Sequence, residues 1–287
     1  MTTLTSARQF FREAPWQQWT AQLLAIMGIE VRKNFLTRRS IWIYLVALGP
    51  LVLIGGHDFL DTRWDAEQMR RDTEILAGIF QLYYLRLGMF FGCMGLFTWL
   101  FRGEVVEKSL HYYFLAPVRR ELLVLAKFLA GTVSATIIFG VAVFLSFVLL
   151  YLPYGESGRA FVFSGPGLGH LAAYLGVTGL ACLGYGAIFI AFSLVIRNPI
   201  IPGAFVLLWE TFHPVFPSLL QKLSVMFYLK QLCPVAIAPE GMMALFTVVA
   251  APVSAWIAVP GLILLSAAIM VFACTRIRHT EINYLAD

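Results

Sequence analysis

Charged residues are scarce in this sequence. Asp, Glu, Lys and Arg make up only 13% of the chain, against about 25% in ordinary soluble domains, whereas 60% of the residues are apolar. No charged side chain occurs at 128–155, at 160–196 or at 241–275. A helix of about 20 mostly apolar residues crosses the roughly 30 Å hydrocarbon layer, so each stretch is long enough for a membrane span. This pattern excludes a soluble single domain.

Cysteines and nucleotide motifs are also few. Cys93, Cys182 and Cys274 fall in predicted spans. Only Cys233 falls in a predicted extracytoplasmic segment, so a disulfide framework is not expected. No CxxC or His/Cys cluster suggests a metal. The chain contains no Gly-Lys dipeptide and hence no Walker A loop for nucleotide phosphates, so no cofactor is expected on this chain.

Catalytic motifs are missing as well. The sequence has no His-Glu-x-x-His, no Gly-x-Ser-x-Gly and no pair of intramembrane carboxylates, and its 5 histidines are scattered over loops and ends. An intramembrane enzyme is therefore disfavoured, whereas a non-transporting membrane scaffold or sensor stays open. The net charge of +5 is not concentrated on an exposed soluble domain, so nucleic acid is not an expected partner.

The sequence predicts an all-α membrane protein with six transmembrane helices. The predicted spans lie at about 41–60, 83–101, 122–152, 171–196, 199–213 and 254–275. Short re-entrant outer helices are expected at about 214–240, where prolines interrupt an apolar stretch. Residues 1–40 form a cytoplasmic amino terminus, 41–275 the transmembrane domain and 276–287 a cytoplasmic tail. With both termini inside, 14 of the 21 lysines and arginines are cytoplasmic, as the positive-inside rule requires.

Two short segments outside the spans have helical periodicity. From Pro15 to Arg39, apolar side chains follow one stripe, which predicts an interfacial amphipathic helix. Its membrane-interface residues are expected to be Trp16, Trp19, Arg32, Lys33, Arg38 and Arg39. A second helix is predicted at 103–116, with Val106, Leu110, Tyr113 and Phe114 on one face and Glu104, Glu107, Lys108 and His111 on the other. Pro117 ends this helix, which is too short and polar to cross a membrane.

The second helix and the residues after it resemble the permease subunits of ABC-2 type transporters. In that family a Glu-containing amphipathic helix is followed by a Pro-Val-(Ser/Arg)-Arg turn and a lysine near the third span. Here Pro117-Val118-Arg119-Arg120 and Lys127 stand in those places. One departure is Lys108-Ser109, where members commonly have Gly-Thr.

The resemblance implies an exporter of the bacterial inner membrane that works by alternating access. It implies a second permease, as homodimer or related subunit, two ABC ATPase subunits that carry ATP and Mg, and surrounding membrane lipid. The 103–116 segment would be the coupling helix. The residues expected to contact the ATPase are Glu104, Val106, Glu107, Leu110, His111, Tyr113, Phe114, Pro117, Arg119 and Arg120.

One acid, Glu210, is expected inside a span. An ionisable group at that depth is a functional candidate by default, so Glu210 and His213 are candidates for a substrate path. The competing and preferred interpretation places Glu210 at the outer end of its span, hydrated or paired with His213, because Pro214 follows so closely. The substrate itself is not readable, since 24 Phe and 11 Tyr make any cavity aromatic whatever the cargo.

Overall fold

The computed structural model describes residues 15–38, 40–60, 65–115, 117–196, 198, 200–237 and 253–278. Regular secondary structure within these ranges is helical throughout. Hydrocarbon offers no water to backbone N–H and C=O groups, and a helix satisfies them within one segment, so the long apolar runs fold as helices. The predicted all-α architecture is therefore confirmed over the described part of the chain.

The helices are numbered here in chain order. The first half of the chain contributes α1 (Trp16–Leu36), α2 (Ser40–Leu60), α3 (Ala66–Gly78), a π-helical stretch (Ile79–Gly88), α4 (Met89–Val106), α5 (Leu110–Leu115) and α6 (Arg120–Tyr151). The second half contributes a 3-10 turn (Leu152–Tyr154), α7 (Gly155–Arg159), a π-helical turn (Ala160–Ser164), α8 (Gly167–Val195), α9 (Ile200–Phe212), a 3-10 turn (His213–Val215), α10 (Ser218–Gln221), α11 (Val225–Leu232) and α12 (Ala255–Arg278).

Five of the described helical segments are long and apolar enough to cross a membrane. They are Ser40–His57, Ala66–Val106, Arg120–Ser164, Gly167–Val195 and Ala255–Arg278. The predicted span at 199–213 corresponds to α9, whose 13 residues reach about 20 Å, short of the roughly 30 Å of hydrocarbon. Five apolar helices of this kind indicate a membrane-integral protein. Of the predicted outer segment and tail, residues 238–240 and 279–287 lie outside the described residues.

Close packing of aromatic rings against glycines holds the long helices together. The Phe97 ring of α4 lies so close to Gly131 of α6 and Gly186 of α8 that an added Cβ would come within 2.6 Å and 2.4 Å of it. On the same helix, the Phe90 ring meets Tyr185 and Phe189 of α8 edge-on, at centroid distances of 5.4 Å and 5.1 Å. Lipid tails are as apolar as these side chains, so fit between helices stabilises the bundle more than burial does.

The chain reverses sharply after α4. Lys108 has a left-handed φ of 54°, while its N–H bonds to the Val105 carbonyl at 3.1 Å and the next N–H bonds to the Glu104 carbonyl at 2.9 Å. This pair of bonds is a Schellman motif, which ends a helix. The predicted single helix at 103–116 is therefore wrong: α4 runs on to Val106 and α5 is a separate helix of 6 residues.

The α4–α5 turn lies at one end of the bundle, together with the start of α6. The end of α12 is there too, because Arg278 hydrogen-bonds to the Glu121 carboxylate. At the opposite end, the Tyr154 hydroxyl donates to Asp72 at 2.6 Å and connects α3 to the turn after α6. We refer to the first of these as the Lys127 end, after the buried lysine near the start of α6.

Candidate functional site

A buried ion cluster joins three helices at the Lys127 end. Lys127, on α6, is fully buried, and its ammonium group lies 2.7 Å from Glu30 Oε1 of α1 and 2.7 Å from Glu104 Oε1 of α4. Both carboxylates are themselves buried. A buried charge is tolerated only when it is paired and hydrogen-bonded, so each helix depends on the other two at this point.

Two further side chains complete the group. Lys33 Nζ lies 3.5 Å from Glu30 Oε1 and 3.7 Å from Glu104 Oε1. The Tyr113 hydroxyl of α5 donates to Glu30 Oε1 at 3.2 Å and accepts from Lys33 Nζ at 3.4 Å. The Tyr113 ring also lies under the Lys127 ammonium, 5.0 Å from ring centroid to Nζ. We call these five residues the Lys127 cluster.

The charge states in the cluster follow from its geometry. Burial alone would raise the pKa of Glu30, but the ammonium groups of Lys127 and Lys33 and two hydrogen bonds outweigh it and lower that pKa. For Lys33, burial opposes the charge, but Glu30 and Glu104 prevail and raise its pKa. Burial, and then the two carboxylates, raise the pKa of Tyr113 to about 12. At neutral pH Glu30 is thus ionised, Lys33 is cationic and Tyr113 keeps its proton.

One oxygen of the cluster has no donor. Glu104 Oε2 is buried and makes no hydrogen bond within the described part of the chain, whereas Oε1 accepts from Lys127. A buried acceptor without a partner costs about 1–3 kcal/mol. Glu104 also lines a cavity of about 380 Å³ that runs between α1, α2 and α4. The Lys127 cluster therefore borders this cavity, with the unpartnered oxygen buried beside it.

The predicted ATPase-contact residues whose side chains the structure describes do not share one surface. Glu104 and Tyr113 point into the Lys127 cluster instead of outward. Val106 is 60% exposed, and Glu107 is exposed at the turn. The side chains of Leu110, His111 and Phe114 lie outside the described residues.

The turn before α6 is held against α1 and α12. The Pro117 carbonyl accepts from Gln22 Nε2 at 3.2 Å, and the Arg119 guanidinium lies 4.6 Å from the Trp19 ring centroid. Arg120 donates to the Arg278 carbonyl at 3.3 Å. Intramolecular contacts therefore occupy all three residues of the predicted interface turn.

The predicted membrane-interface residues fall into two groups. Trp16 and Arg32 are exposed along α1 and Arg38 is exposed just after it, and Trp16 meets Trp19 edge-on at a centroid distance of 5.2 Å. Lys33, which was expected at lipid headgroups, belongs to the ion cluster and keeps half of its side chain exposed, because it lies at the edge of the α1 face that packs along α6. Arg39 lies outside the described residues.

The predicted substrate-path acid, Glu210, is buried and fully hydrogen-bonded. Glu210 is only 2% exposed, and its carboxylate accepts from Ser224 Oγ at 2.6 Å and from the backbone N–H groups of Val225 and Met226, both at 2.9 Å. It thus caps the amino terminus of α11, where a negative charge is favourable. The hydrated or His213-paired position was wrong, because the chain folds back and brings α11 onto Glu210. His213 Nδ1 contacts the Glu210 carbonyl oxygen at 2.8 Å instead.

Glu30 is the cluster residue that the sequence prediction missed. Leu23, Ile26, Met27 and Glu30 are spaced i, i+3, i+4 and i+7 along α1, so Glu30 lies on the stripe that was read as apolar. A carboxylate on such a stripe indicates a buried cation, and Lys127 is the last charge before the uncharged stretch at 128–155. Within the described residues no three His, Cys, Asp or Glu side chains form a metal-binding group.

Comparison with protein-family models, with curated proteins and with solved structures finds no match to this chain. Fold and site together define an all-α, membrane-integral protein with a buried ion cluster at one end of its bundle.

Proposed function

We propose that this chain is the membrane-spanning permease subunit of an ATP-binding cassette exporter, driven by two copies of a separate ATPase and paired with a second permease. The observation that carries the proposal is the Lys127 cluster. It ties the α4–α5 turn, the segment that resembles a coupling helix, to α1 and α6 through buried ion pairs. A force that the ATPase exerts on α5 would thus move α1, α4 and α6 together.

The exposed surface next to the α4–α5 turn supports docking of the ATPase at the Lys127 end. Val106 is 60% exposed and Leu115 80% exposed, on either side of the α4–α5 turn. Apolar side chains concentrated on a turn that cannot itself span a membrane suit contact with another protein. In this proposal Glu104 and Tyr113 do not touch the ATPase; they connect the docking turn to the bundle.

The sixth crossing in this proposal is made by two half-helices, α9 and α11. Gly203 of α9 packs against Met94 of α4, and Gln81 donates to the Val235 carbonyl just after α11, at 2.7 Å. Met94, which contacts α9, lies nearer the Lys127 end than Gln81, which contacts the residues after α11. The chain therefore runs through α9 and then α11 towards the opposite end of the bundle. Glu210 joins the two halves by capping α11. Polar backbone at such a break needs a partner inside the protein, and Glu210 supplies it.

Orientation follows from the basic residues near the Lys127 end. Several basic residues lie there and support, by the positive-inside rule, a position of this end on the cytoplasmic side of the bacterial inner membrane: Arg32, Arg102, Arg119, Arg120, Arg276 and Arg278. An ATPase would meet the turn on that side. Alternating access would then follow from ATP-driven movement of α5 and the helices bound to it.

The test is assembly with an ATPase. The full chain is co-expressed with candidate ABC ATPase subunits from the same organism, and co-purification and ATP hydrolysis in nanodiscs are measured. We expect the double variant Val106→Ala, Leu115→Ala to weaken binding at least tenfold, because truncation of a Leu that becomes buried costs about 2–5 kcal/mol.

Leu152→Ala is the matched control, since Leu152 is 70% exposed at the opposite end and should have no effect. Wild-type binding by the double variant, at normal thermal stability, would contradict the docking surface. If no ATPase co-purifies and none is stimulated, the scaffold or sensor alternative replaces the transport proposal.

A further inference from the structure

The cavity beside the Lys127 cluster has two chemically different ends. Its polar end contains Glu30, Lys33, Asn34, Glu104 and Glu107. Its other end is formed by apolar side chains and glycines of α2 and α4, among them Trp42, Ile43, Phe91 and Gly95. A cavity that is charged at one end and apolar along the other suits an amphiphile.

The apolar end is accessible from the side of the bundle. Trp42 is 72% exposed and Phe91 41% exposed, and both lie in segments long enough to span a membrane. The surrounding medium there is lipid, so a lipid molecule can enter without passing through water. At about 380 Å³ the cavity has the size of a small-molecule site and accommodates a head group with part of one acyl chain.

The polar end specifies which head group fits. Glu104 is only 7% exposed, it lines the cavity, and its Oε2 has no hydrogen-bond donor in the described part of the chain. The missing partner is a donor, and beside a carboxylate a cationic donor bonds most strongly. Lys33, whose side chain is 51% exposed, offers a positive charge to an anionic group at the same end. The complement is a zwitterion with an N–H-bearing cation and an anionic group.

We propose that this cavity binds one phospholipid with a primary ammonium head group, of the phosphatidylethanolamine class. A small rotation of the Glu104 side chain brings the buried Oε2 to the cavity, where the ammonium group donates to it. The phosphate lies beside Lys33, and an acyl chain runs past Gly95 between α2 and α4. The site does not depend on ATPase assembly, because it needs only the membrane placement of the helices.

The test exploits the N–H groups of the lipid. A primary ammonium has hydrogens to donate, whereas the trimethylammonium of phosphatidylcholine has the same charge and none. The full chain is delipidated in detergent and titrated with dioleoyl-phosphatidylethanolamine, -phosphatidylcholine and -phosphatidylglycerol, and bound lipid is counted by native mass spectrometry. We expect the ethanolamine lipid to bind at least about tenfold more tightly than either of the others.

Two variants test separately the recognition of the head group and the room that the cavity offers to the acyl chain. Glu104→Gln should reduce the preference for ethanolamine over choline to about twofold or less. Gly95→Leu should weaken binding of both lipids about tenfold, because a Cβ at Gly95 meets nothing within 4 Å and the side chain would fill the cavity without a clash. Gly176→Leu is the matched control: Gly176 is also exposed and open, lies on α8 away from the cavity, and should leave binding unchanged.

Equal affinity of the wild type for the ethanolamine and choline lipids would overturn the proposal. So would unchanged lipid binding by Gly95→Leu. If Gly95→Leu alters self-association of the chain and not lipid binding, the cavity belongs to an interface between copies and the lipid assignment is wrong. If Glu104→Gln fails to fold, the titrations of the wild type with the three lipids and the two glycine variants still test the proposed lipid site.

Discussion

At the scale of single residues, Lys127 is the side chain on which most of the cluster depends. Its ammonium group is the shared donor to Glu30 and Glu104, and no solvent reaches it. Removal of this one partner leaves two buried carboxylates with only the half-exposed Lys33 nearby. Breaking a buried ion pair in this way is far more costly than replacing the whole group with neutral side chains.

We therefore expect Lys127→Met to lower the free energy of unfolding by about 3–5 kcal/mol, measured as loss of thermal stability in detergent. The triple variant Lys127→Met, Glu30→Gln, Glu104→Gln should recover most of that loss, since no buried charge then lacks a partner. Lys33→Met, at the exposed edge of the same group, should cost less than about 1 kcal/mol. If the triple variant is no more stable than Lys127→Met, the unpaired charges are not the cause of the lost stability.

The sequence predicted residues of the cluster but not the cluster itself. Glu104, Lys33 and Tyr113 were each singled out as surface contacts for lipid or a partner, whereas the structure brings all three into the Lys127 cluster, with Lys33 at its exposed edge. Periodicity along one helix shows which residues share a face, but not which neighbouring helix covers that face. Glu30 was missed for the same reason, because only the packing of α1 along α6 shows that its stripe is buried.

At the scale of helices, the turn between α4 and α5 shows what a local pattern misses. Val106, Leu110, Tyr113 and Phe114 fit one helical period, yet α4 ends at Val106. The terminator is a Schellman motif, and the left-handed residue such a motif requires is usually glycine. In this chain Lys108 occupies it, with a φ of 54°. The site where the sequence departs from the Gly-Thr common in ABC-2 permeases is thus the site where glycine would fit best.

A glycine at this position should stabilise the turn. A side chain held in the left-handed region costs about 1–2 kcal/mol, and glycine avoids that cost while it loses more entropy on folding, so we expect Lys108→Gly to gain about 1 kcal/mol. The measurement is the shift in thermal unfolding relative to wild type. Lys108→Ala is the control, because it removes the charge and keeps the Cβ, and should give no gain. Equal stability of the Gly and Ala variants would contradict a strained left-handed turn.

At the scale of the whole molecule, long uncharged stretches were enough to predict an all-α membrane bundle, and all five long apolar helices overlap predicted spans. The segment from 199 to 240 was harder to predict, since proline and polar residues interrupt it. There a carboxylate in one short helix caps another helix 15 residues later, at Val225, and sequence periodicity contains no signal for such a contact. The path of the chain from α9 to α11 therefore depends on tertiary contacts.

Membrane orientation is the property on which the transport proposal depends, and single-cysteine labelling tests it. In a background without the four native cysteines, Glu67→Cys and Glu156→Cys place thiols at the end where Tyr154 meets Asp72. Gln18→Cys and Leu115→Cys place them at the Lys127 end, and all four positions are exposed. A membrane-impermeant maleimide should label the first pair in intact cells and the second pair only after lysis, because the positive-inside rule favours the cytoplasmic side for the basic Lys127 end. The reverse result would remove the docking turn from the compartment that contains ATP, and with it the transport proposal. Labelling of Glu67→Cys and Glu156→Cys from opposite sides would contradict the fold itself, since those two segments are joined through the 2.6 Å hydrogen bond between Tyr154 and Asp72.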